Sequence, residues 1–394
     1  MSQGGDLPPL GLYLHVPYCV RKCPYCDFHS TVQSHIPEQG YLAAVERELH
    51  FWRGRLTHDD RPLQSLFLGG GTPSLLEGRT VQHLLQTVRS LWPLAAGCEI
   101  TLESNPESCT PAKVDQWLAA GINRLSLGIQ AFNQDRLIIL ERPHTLDEAR
   151  QAIRSSRQGG FNNLNLDLIF ATPGQTLAGW QRELEEAMDW QPEHLSCYGL
   201  SLEGGTPFER QHRQGLFSLL DEEQELALFE TTRQILSKGG WQPYEISNYA
   251  KPGRACRHNL NYWRLGDYLG IGPSAHGCLT QRHSEPGAAR TLTRTVNQSD
   301  NYLEKQQNSG CCLHSETRCT QAEAATDALL MGLRLQEGMN RETYQRVSGH
   351  DLLEQRPKGI ENCLEAGLIR VEPERITLTQ KGVPLTDAVL SQLL

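Results

Sequence analysis

Short apolar segments alternate with longer amphipathic ones from residue 11 to about residue 240, and this alternation limits the choice of fold most strongly. Helix-like stripes such as Leu42, Val45 and Leu49 separate the strand-like segments. A repeated strand–helix order predicts an α/β fold with a parallel sheet, either open or closed into a barrel. The sequence contains six such strand–helix units, whereas a complete barrel has eight. The strand-like segments are 11–16, 63–68, 99–103, 124–129, 164–170 and 194–201.

Within these strands polar and apolar side chains alternate, so each strand has one polar and one apolar face. A barrel normally fills its interior with Val, Ile and Leu. A polar group buried there without a partner would cost roughly 2–7 kcal/mol. The polar face therefore predicts an interior that holds a ligand. Its members are Tyr13, His15, Thr101, Glu103, Ser126, Gly128, Gln130, Asn163, Asn165, Asp167, His194, Ser196 and Tyr198.

Cys19, Cys23 and Cys26 form a C-x3-C-x2-C pattern in the loop after the first strand. The chain shows no secretion signal and no apolar run of about 20 residues, which indicates a reducing cytoplasm and free thiols among its 12 cysteines. Three thiolates can hold a [4Fe–4S] cluster with one iron left open. Zinc remains an alternative, with His29 as a further ligand.

The rest of the chain predicts two smaller units after a barrel domain of residues 1–240. Residues 241–321 are expected to extend the sheet and then to form a polar linker with one helix around Tyr302. Residues 322–394 predict a helical, winged-helix-like domain. Such domains often bind DNA, but 11 acidic against 8 basic residues here, and a net charge of -9 overall, favour a structural cap over a zinc-bound transcription factor.

The cysteine loop, with Tyr25 before its last cysteine, resembles the C-x3-C-x-aromatic-C signature of the radical S-adenosylmethionine (SAM) superfamily. The resemblance implies a partial (β/α)6 barrel, in agreement with the six units counted above. It also implies a [4Fe–4S] cluster on the three cysteines, with SAM bound to the open iron and cleaved to a 5′-deoxyadenosyl radical.

Further motifs are similar to the coproporphyrinogen dehydrogenase-like branch of that superfamily, over about residues 10 to 390. The glycine-rich loop at 69–73 could by itself be a tight turn. In the branch it contacts SAM, together with polar strand-end residues. One departure is Ala171-Thr172, where the branch usually has Gly-Leu. The resemblance implies SAM contacts for Tyr13, Tyr25, Gly70, Gly71, Thr72, Glu103, Gln130, Arg142 and Asp167.

Two features favour the haem-chaperone members of this branch over its dehydrogenases. Phe28 stands where the dehydrogenases have a further cysteine, and only about ten residues precede the first strand. In addition, an H-N-x-x-Y-W string resembles the haem-binding motif of the chaperones, which implies that His258, Asn259, Tyr262 and Trp263 bind haem. A capping histidine beside core aromatic residues is the alternative for this string. His276 is a candidate second ligand.

The resemblance thus implies a haem chaperone that carries a [4Fe–4S] cluster and SAM and transfers haem to acceptor haem proteins. The alternative is oxygen-independent coproporphyrinogen III dehydrogenase, which forms protoporphyrinogen IX by radical decarboxylation. No catalytic residue is assigned, and enzymatic activity is left undecided. Nucleic-acid partners and a transmembrane segment are not expected, while peripheral membrane association and oligomerisation stay open.

Overall fold

The computed structural model describes residues 7–280, 290–295, 299–309 and 313–394. Most of the strands belong to one large sheet, and short 3-10 helices occur at Pro73–Leu75, Pro106–Ser108 and Val383–Leu385. The strands are β1 (Leu10–Val16), β2 (Tyr18–Cys19), β3 (Thr31–Val32), β4 (Leu63–Gly70), β5 (Leu94–Ser104), β6 (Arg124–Gln130), β7 (Leu164–Phe170), β8 (His194–Gly199), β9 (Gln242–Pro243), β10 (Asn248–Ala250), β11 (Asp267–Ile271), β12 (His276–Thr280), β13 (Arg290–Thr295), β14 (Leu313–Arg318), β15 (Met339–Asn340), β16 (Ile369–Val371) and β17 (Arg375–Leu378).

The helices of the first 240 residues alternate with these strands, and the later helices surround a small second sheet. They are α1 (Glu38–Arg55), α2 (Gly78–Leu91), α3 (Pro111–Ala120), α4 (Gln134–Ile139), α5 (Leu146–Gly159), α6 (Leu177–Asp189), α7 (Pro207–Arg213), α8 (Glu222–Gly239), α9 (Arg257–Trp263), α10 (Ser299–Ser309), α11 (Gln321–Gly332), α12 (Arg341–Ser348), α13 (Leu352–Gln355), α14 (Pro357–Glu365) and α15 (Thr386–Leu393).

The six predicted strands are confirmed as the parallel array β1-β4-β5-β6-β7-β8 of a partial barrel. Their leucines are buried on the outer face against the helices, as the alternation predicts. The register places Glu103 beside Ser126, Ser126 beside Asn165, and Asp167 beside Ser196 on the inner face. The polar residues of neighbouring strands therefore meet inside the barrel.

Local sequence signals set the helix boundaries around this sheet. Thr145 begins α5 with a capping box, in which its side chain and that of Glu148 bond each other's backbone N–H groups. Asp221 begins α8 in the same way. Gly121 ends α3 with a φ of 97°, a conformation that glycine adopts without steric cost.

The sheet extends further than the six strands. β11 pairs with β1 in parallel, and β12, β13 and β14 continue the sheet in antiparallel order. The interpretation of this region as a polar, irregular linker is therefore wrong for β13 and β14, since an antiparallel strand can be polar and still pair through its backbone. The helix expected around Tyr302 is confirmed as α10. The adjacent Cys311 and Cys312, for which the sequence predicts no role, lie outside the described residues.

The C-terminal part forms its own apolar core from α11 to α15 around the sheet β15-β17-β16. The two strands predicted after Gly367 are present as β16 and β17, and the third strand, β15, was not predicted. No helix in the described part of the chain combines the length and the apolar character that crossing a bilayer would need.

Candidate functional site at the cysteine loop

The cysteine loop leaves β1 at the carboxyl end of the barrel and is fixed by backbone bonds. β2 and β3 pair in parallel, so Cys19 lies in a short two-stranded sheet. The Cys26 N–H donates to the Cys23 carbonyl at 3.1 Å. Cys19 and Cys23 are buried and Cys26 is half-buried. All three line one cavity of about 520 Å³ inside the barrel mouth, which we call the barrel cavity.

A chain of hydrogen bonds joins two of these cysteines through the neighbouring strands. Thr72 Oγ1 donates to Cys19 Sγ at 3.5 Å, and Asn105 Nδ2 donates to Thr72 Oγ1 at 3.4 Å. Arg142 completes the chain, because Nη2 donates to Asn105 Oδ1 at 2.6 Å and Nη1 donates to Cys23 Sγ at 3.2 Å. Arg142 also reaches the Tyr25 hydroxyl at 3.3 Å. The loop is thereby held in place by side chains from three separate elements.

The glycine-rich loop at the end of β4 packs directly on the cysteine loop. Gly71 N–H donates to the Val16 carbonyl at 2.8 Å. A Cβ on Gly71 would lie 2.7 Å from the Tyr18 carbonyl oxygen, and a Cβ on Gly70 would lie 2.4 Å from the His15 ring. Gly70 also has a φ of 107°. Gly71 therefore requires glycine because the two loops approach each other through their backbones, and Gly70 requires it because of its positive φ and the adjacent His15 ring.

Two carboxyl groups, those of Glu103 and Asp167, line the barrel cavity. Glu103 Oε2 accepts the Gly70 N–H at 3.1 Å, while Asp167 accepts bonds from Ser126 at 3.0 Å and Asn165 at 2.8 Å. Burial, and then the charge of Asp167, raises the pKa of Glu103 to about 8. Burial also raises the pKa of Asp167. A cationic ligand in the cavity would stabilise the ionised form of both groups.

Most of the residues predicted to contact SAM are gathered here. Tyr25, Gly70, Gly71, Thr72, Glu103, Gln130, Arg142 and Asp167 all line the barrel cavity. Gln130 reaches it with a φ of 65° after an irregularity in the β6–β7 register. Tyr13 does not line the cavity. Its hydroxyl is 3.0 Å from His15 Nδ1, and its ring stacks on Phe67 deeper in the barrel.

The donor set fits an iron–sulfur cluster better than zinc. Among the residues that the structure describes, no three His, Cys, Asp or Glu side chains converge closely enough to hold a single metal ion. Zinc needs all its donors within about 2.3 Å of one point, whereas the thiolates of a cubane bind separate irons. Burial raises the pKa of Cys26 to about 11, so its thiol must lose a proton when it becomes a ligand.

The H-N-x-x-Y-W residues form α9, at the opposite end of the barrel. His258 is 2% exposed. Its Nδ1 is 2.8 Å from Ser65 Oγ and its Nε2 is 2.7 Å from the Tyr262 hydroxyl. Its ring stacks on Phe67 at 5.1 Å between centroids. Burial, and then the charge of Arg124, lowers the pKa of His258 to about 3.

The other motif residues also have internal partners. Asn259 Nδ2 donates to the Tyr244 hydroxyl at 3.0 Å, and Glu99 accepts the backbone N–H groups of Arg257 and His258 at the start of α9. Trp263 packs at the edge of a cavity of about 250 Å³ against the C-terminal domain. Both imidazole nitrogens of His258 are thus hydrogen-bonded within the protein. His276 lies elsewhere, at the start of β12.

A partial parallel barrel that opens beside a three-cysteine loop defines the radical SAM class of protein. The family model of the radical SAM superfamily matches residues 13–190, and that of the HemN C-terminal domain matches residues 319–385. The heme chaperone HemW of Haemophilus influenzae is 43% identical over 277 residues, 70% of this chain and 71% of that protein. The HemW of Bacillus subtilis is 31% identical over 97% of this chain and 98% of its own length.

The fold comparison agrees with these matches. The solved structure of coproporphyrinogen III oxidase (HemN) from Escherichia coli, a radical SAM enzyme, superposes with a TM-score of 0.81 and covers 98% of this chain and 90% of that one. At 21% identity this likeness shows the fold alone. The chain belongs to the heme chaperone HemW family of the radical SAM superfamily, whose proteins use a [4Fe–4S] cluster and SAM.

Two residues of the site were missed from the sequence. Asn105 bridges Thr72 and Arg142, although only its place two residues after Glu103 could have suggested it. His15 was placed on the inner face without a role. Its Nε2 lies 2.8 Å from the His29 carbonyl oxygen, which fixes the end of the cysteine loop to β1.

Proposed function

We propose that this protein is a haem chaperone, which binds haem and passes it to acceptor haem proteins while carrying a [4Fe–4S] cluster and SAM. The observation that carries this proposal is the 43% identity to a heme chaperone over most of both chains, together with a cysteine loop that opens on an intact polar cavity. The cluster and SAM, when bound, supply reductive cleavage of a sulfonium.

The residues of the barrel cavity have distinct tasks in this proposal. Cys19, Cys23 and Cys26 hold the cluster, and Arg142 fixes the loop by donating to Cys23 and Asn105. Glu103, Asp167 and Gln130 offer acceptors to the ammonium and ribose hydroxyl groups of SAM, since all three line the same cavity. The glycine-rich loop allows the ligand to approach the backbone. Tyr13 does not line the cavity, and its task in this proposal is to hold the His15 ring, whose Nδ1 lies 3.0 Å from the Tyr13 hydroxyl.

The domain division proposed for residues 1–240, 241–321 and 322–394 is supported by two separate apolar cores. One lies between the barrel and its helices, and the other lies within residues 322–394 and the segment that contacts them. The motif helix α9 contacts both the barrel strand β4 and the C-terminal helix α11. The middle segment therefore joins the two cores.

An assay that follows both haem transfer and porphyrinogen decarboxylation tests the proposal. Anaerobically reconstituted protein is loaded with haem and mixed with apomyoglobin, and it is separately incubated with coproporphyrinogen III, SAM and a reductant. We expect haem to move to apomyoglobin and no vinyl product to form. Phe28 lines the cavity and is 59% exposed. It stands where the dehydrogenases have a further cysteine, so this chain lacks a thiol at that point of the cavity. Formation of protoporphyrinogen IX would refute the chaperone and establish the dehydrogenase.

A further inference from the structure

Residues 201–219 connect β8 to α8, and we call them the β8–α8 segment. The segment leaves β8 at the carboxyl end of the barrel, where its first residues, Ser201 and Glu203, line the barrel cavity. Its middle part is α7, which Thr206 begins by accepting the Glu209 N–H at 3.3 Å. The segment therefore starts as a wall of the cavity and continues as a short helix.

The helix α7 packs on the cysteine loop. Its Phe208 N–H donates at 3.0 Å to the carbonyl of Pro24, which lies between Cys23 and Cys26. The Phe208 ring also meets the Tyr25 ring edge to face, with 6.2 Å between centroids. The cysteine loop follows β1, and β1 and β8 are the first and last strands of the six-stranded parallel array. The β8–α8 segment therefore bridges the open side of the partial barrel.

Few interactions fix the segment in this position. In the part of the chain that the structure describes, the bond from Phe208 to Pro24 is the one hydrogen bond that joins it to other residues. Its ion pair, between Arg213 and Glu209, lies within α7. Its buried contacts belong to a small apolar cluster around Phe208, separate from the main core. Such an element opens at a low free-energy cost.

Glycines flank α7 on both sides. Gly204 and Gly205 precede the helix, and Gly215 follows it. A Cβ on any of the three would meet nothing within 4 Å, so no close contact demands glycine at these positions. Gly205 has a φ of 82° and Gly215 a φ of 72°. Because glycine changes its backbone angles more freely than other residues, these positions suit hinges.

We infer that the β8–α8 segment is a lid over the barrel cavity, which Phe208 latches to the cysteine loop and which closes on SAM. This inference rests on the proposed binding of SAM in the barrel cavity. Glu203 and the cysteine loop line the same cavity, so a ligand that contacts both favours the closed arrangement over an open one. The closed lid excludes water from the cavity and slows the release of SAM.

Hydrogen exchange of the intact wild-type protein tests the lid. Anaerobically reconstituted protein is labelled with and without SAM and without a reductant, so that SAM stays intact. We expect the amides of residues 201–219 to exchange roughly 10-fold more slowly with SAM, because the ligand adds its contacts to the closed arrangement. The amides of β16 and β17, in the C-terminal core, are the internal reference and should not change. Equal exchange of residues 201–219 with and without SAM would overturn the lid.

The latch is tested by the release of labelled SAM from matched variants. Phe208→Ala removes the ring that packs on Tyr25, and SAM should dissociate from it roughly 10-fold faster than from wild type. Leu216→Ala changes an apolar residue of the same segment that is 70% exposed, and it should release SAM at the wild-type rate. Wild-type release from Phe208→Ala with a normal iron and sulfide content would refute the latch.

The two levels of the inference fail in different ways. If Phe208→Ala loses its cluster, the exchange experiment on the wild-type protein still decides whether the segment closes. Equilibrium dialysis reports whether the wild-type protein binds SAM at all. Absence of binding would refute the proposed SAM site and the lid with it, whereas bound SAM beside an unprotected segment would refute the lid alone.

Discussion

The two ends of the barrel are both rich in polar side chains, yet they differ in what those side chains contact. At the carboxyl end Glu103, Gln130 and Asp167 line a cavity of about 520 Å³. At the other end α9 closes the barrel, and His258 and Asn259 find partners in Ser65 and Tyr244. A polar inner face therefore marks a ligand site at one end and an internal hydrogen-bond network at the other.

The hydrogen-bond network at the closed end extends along the inside of the barrel to the barrel cavity. His194 Nδ1 lies 2.6 Å from Asn165 Oδ1, and its Nε2 lies 3.0 Å from the Tyr244 hydroxyl. Asn165 in turn donates to Asp167. The hydrogen bonds of the closed end therefore connect, through Asn165, to the carboxyl group of Asp167 at the open end.

Loss of one cluster ligand is the largest effect we expect at the open end. Cys23→Ser should abolish the brown cluster absorbance after anaerobic reconstitution, because only two protein thiolates would remain to hold a cubane that normally takes four. Cys319→Ser, at a half-buried cysteine far along the chain, is the control and should keep its cluster. Iron and sulfide analysis measures both variants. A retained cubane spectrum in Cys23→Ser would contradict the ligand assignment.

At the closed end the expected effect is on folding. His258→Ala leaves Ser65 and Tyr262 without their buried partner and removes the ring that stacks on Phe67. We expect the free energy of unfolding to fall by about 3 kcal/mol. Denaturant unfolding measures this loss, with the exposed His50→Ala as the control. Unchanged stability would show that α9 is not a structural closure of the barrel.

The carboxyl pair predicts a pH dependence of stability at the open end, opposite in sign to the one expected from the buried histidines of the closed end, whose pKa values are lowered. Glu103 keeps its proton in the fold up to a pKa of about 8, whereas in the unfolded chain it ionises near 4.5. The contribution of Glu103 to stability should therefore fall as pH rises from about 5 to 8, because the unfolded chain gives up a proton that the folded chain retains.

Glu103→Gln cannot ionise, so its stability relative to wild type should rise over that pH range by on the order of 2 kcal/mol. Thermal unfolding of the cluster-free protein at pH 5 and pH 8 provides the measurement. Glu148→Gln, at the exposed start of α5, serves as the carboxyl control. An equal difference at both pH values would disprove the raised pKa.

The smallest expected effect concerns the hydrogen-bond chain between the cysteines. Asn105→Ala leaves Arg142 less well fixed and weakens its bond to Cys23. Donors to cluster sulfur stabilise the reduced state, so the midpoint potential should fall. A loss of about 1 kcal/mol corresponds to roughly 40 mV for one electron. Potentiometric titration followed by paramagnetic resonance gives the value, and a potential equal to wild type would exclude the chain from tuning the cluster.

The sequence by itself determined the barrel strands, their inner and outer faces and the cysteine loop. These features depend on periodicity and spacing, which act between residues close in the chain. The strand β7 was predicted over residues 164–170, the bounds that the structure has. The glycines at 70 and 71 likewise had to approach another backbone or turn sharply, whatever lay opposite them.

Only the tertiary structure decided which polar residues are partnered. The bond between Ser65 and His258 joins residues 193 positions apart, and nothing in the H-N-x-x-Y-W string reveals it. The pairing of β11 with β1 and the extension through β14 also depend on distant backbone groups. A side chain's availability to a ligand is set by the neighbours that folding brings to it, which is why local sequence could name His258 but could not show that both its nitrogens are already occupied.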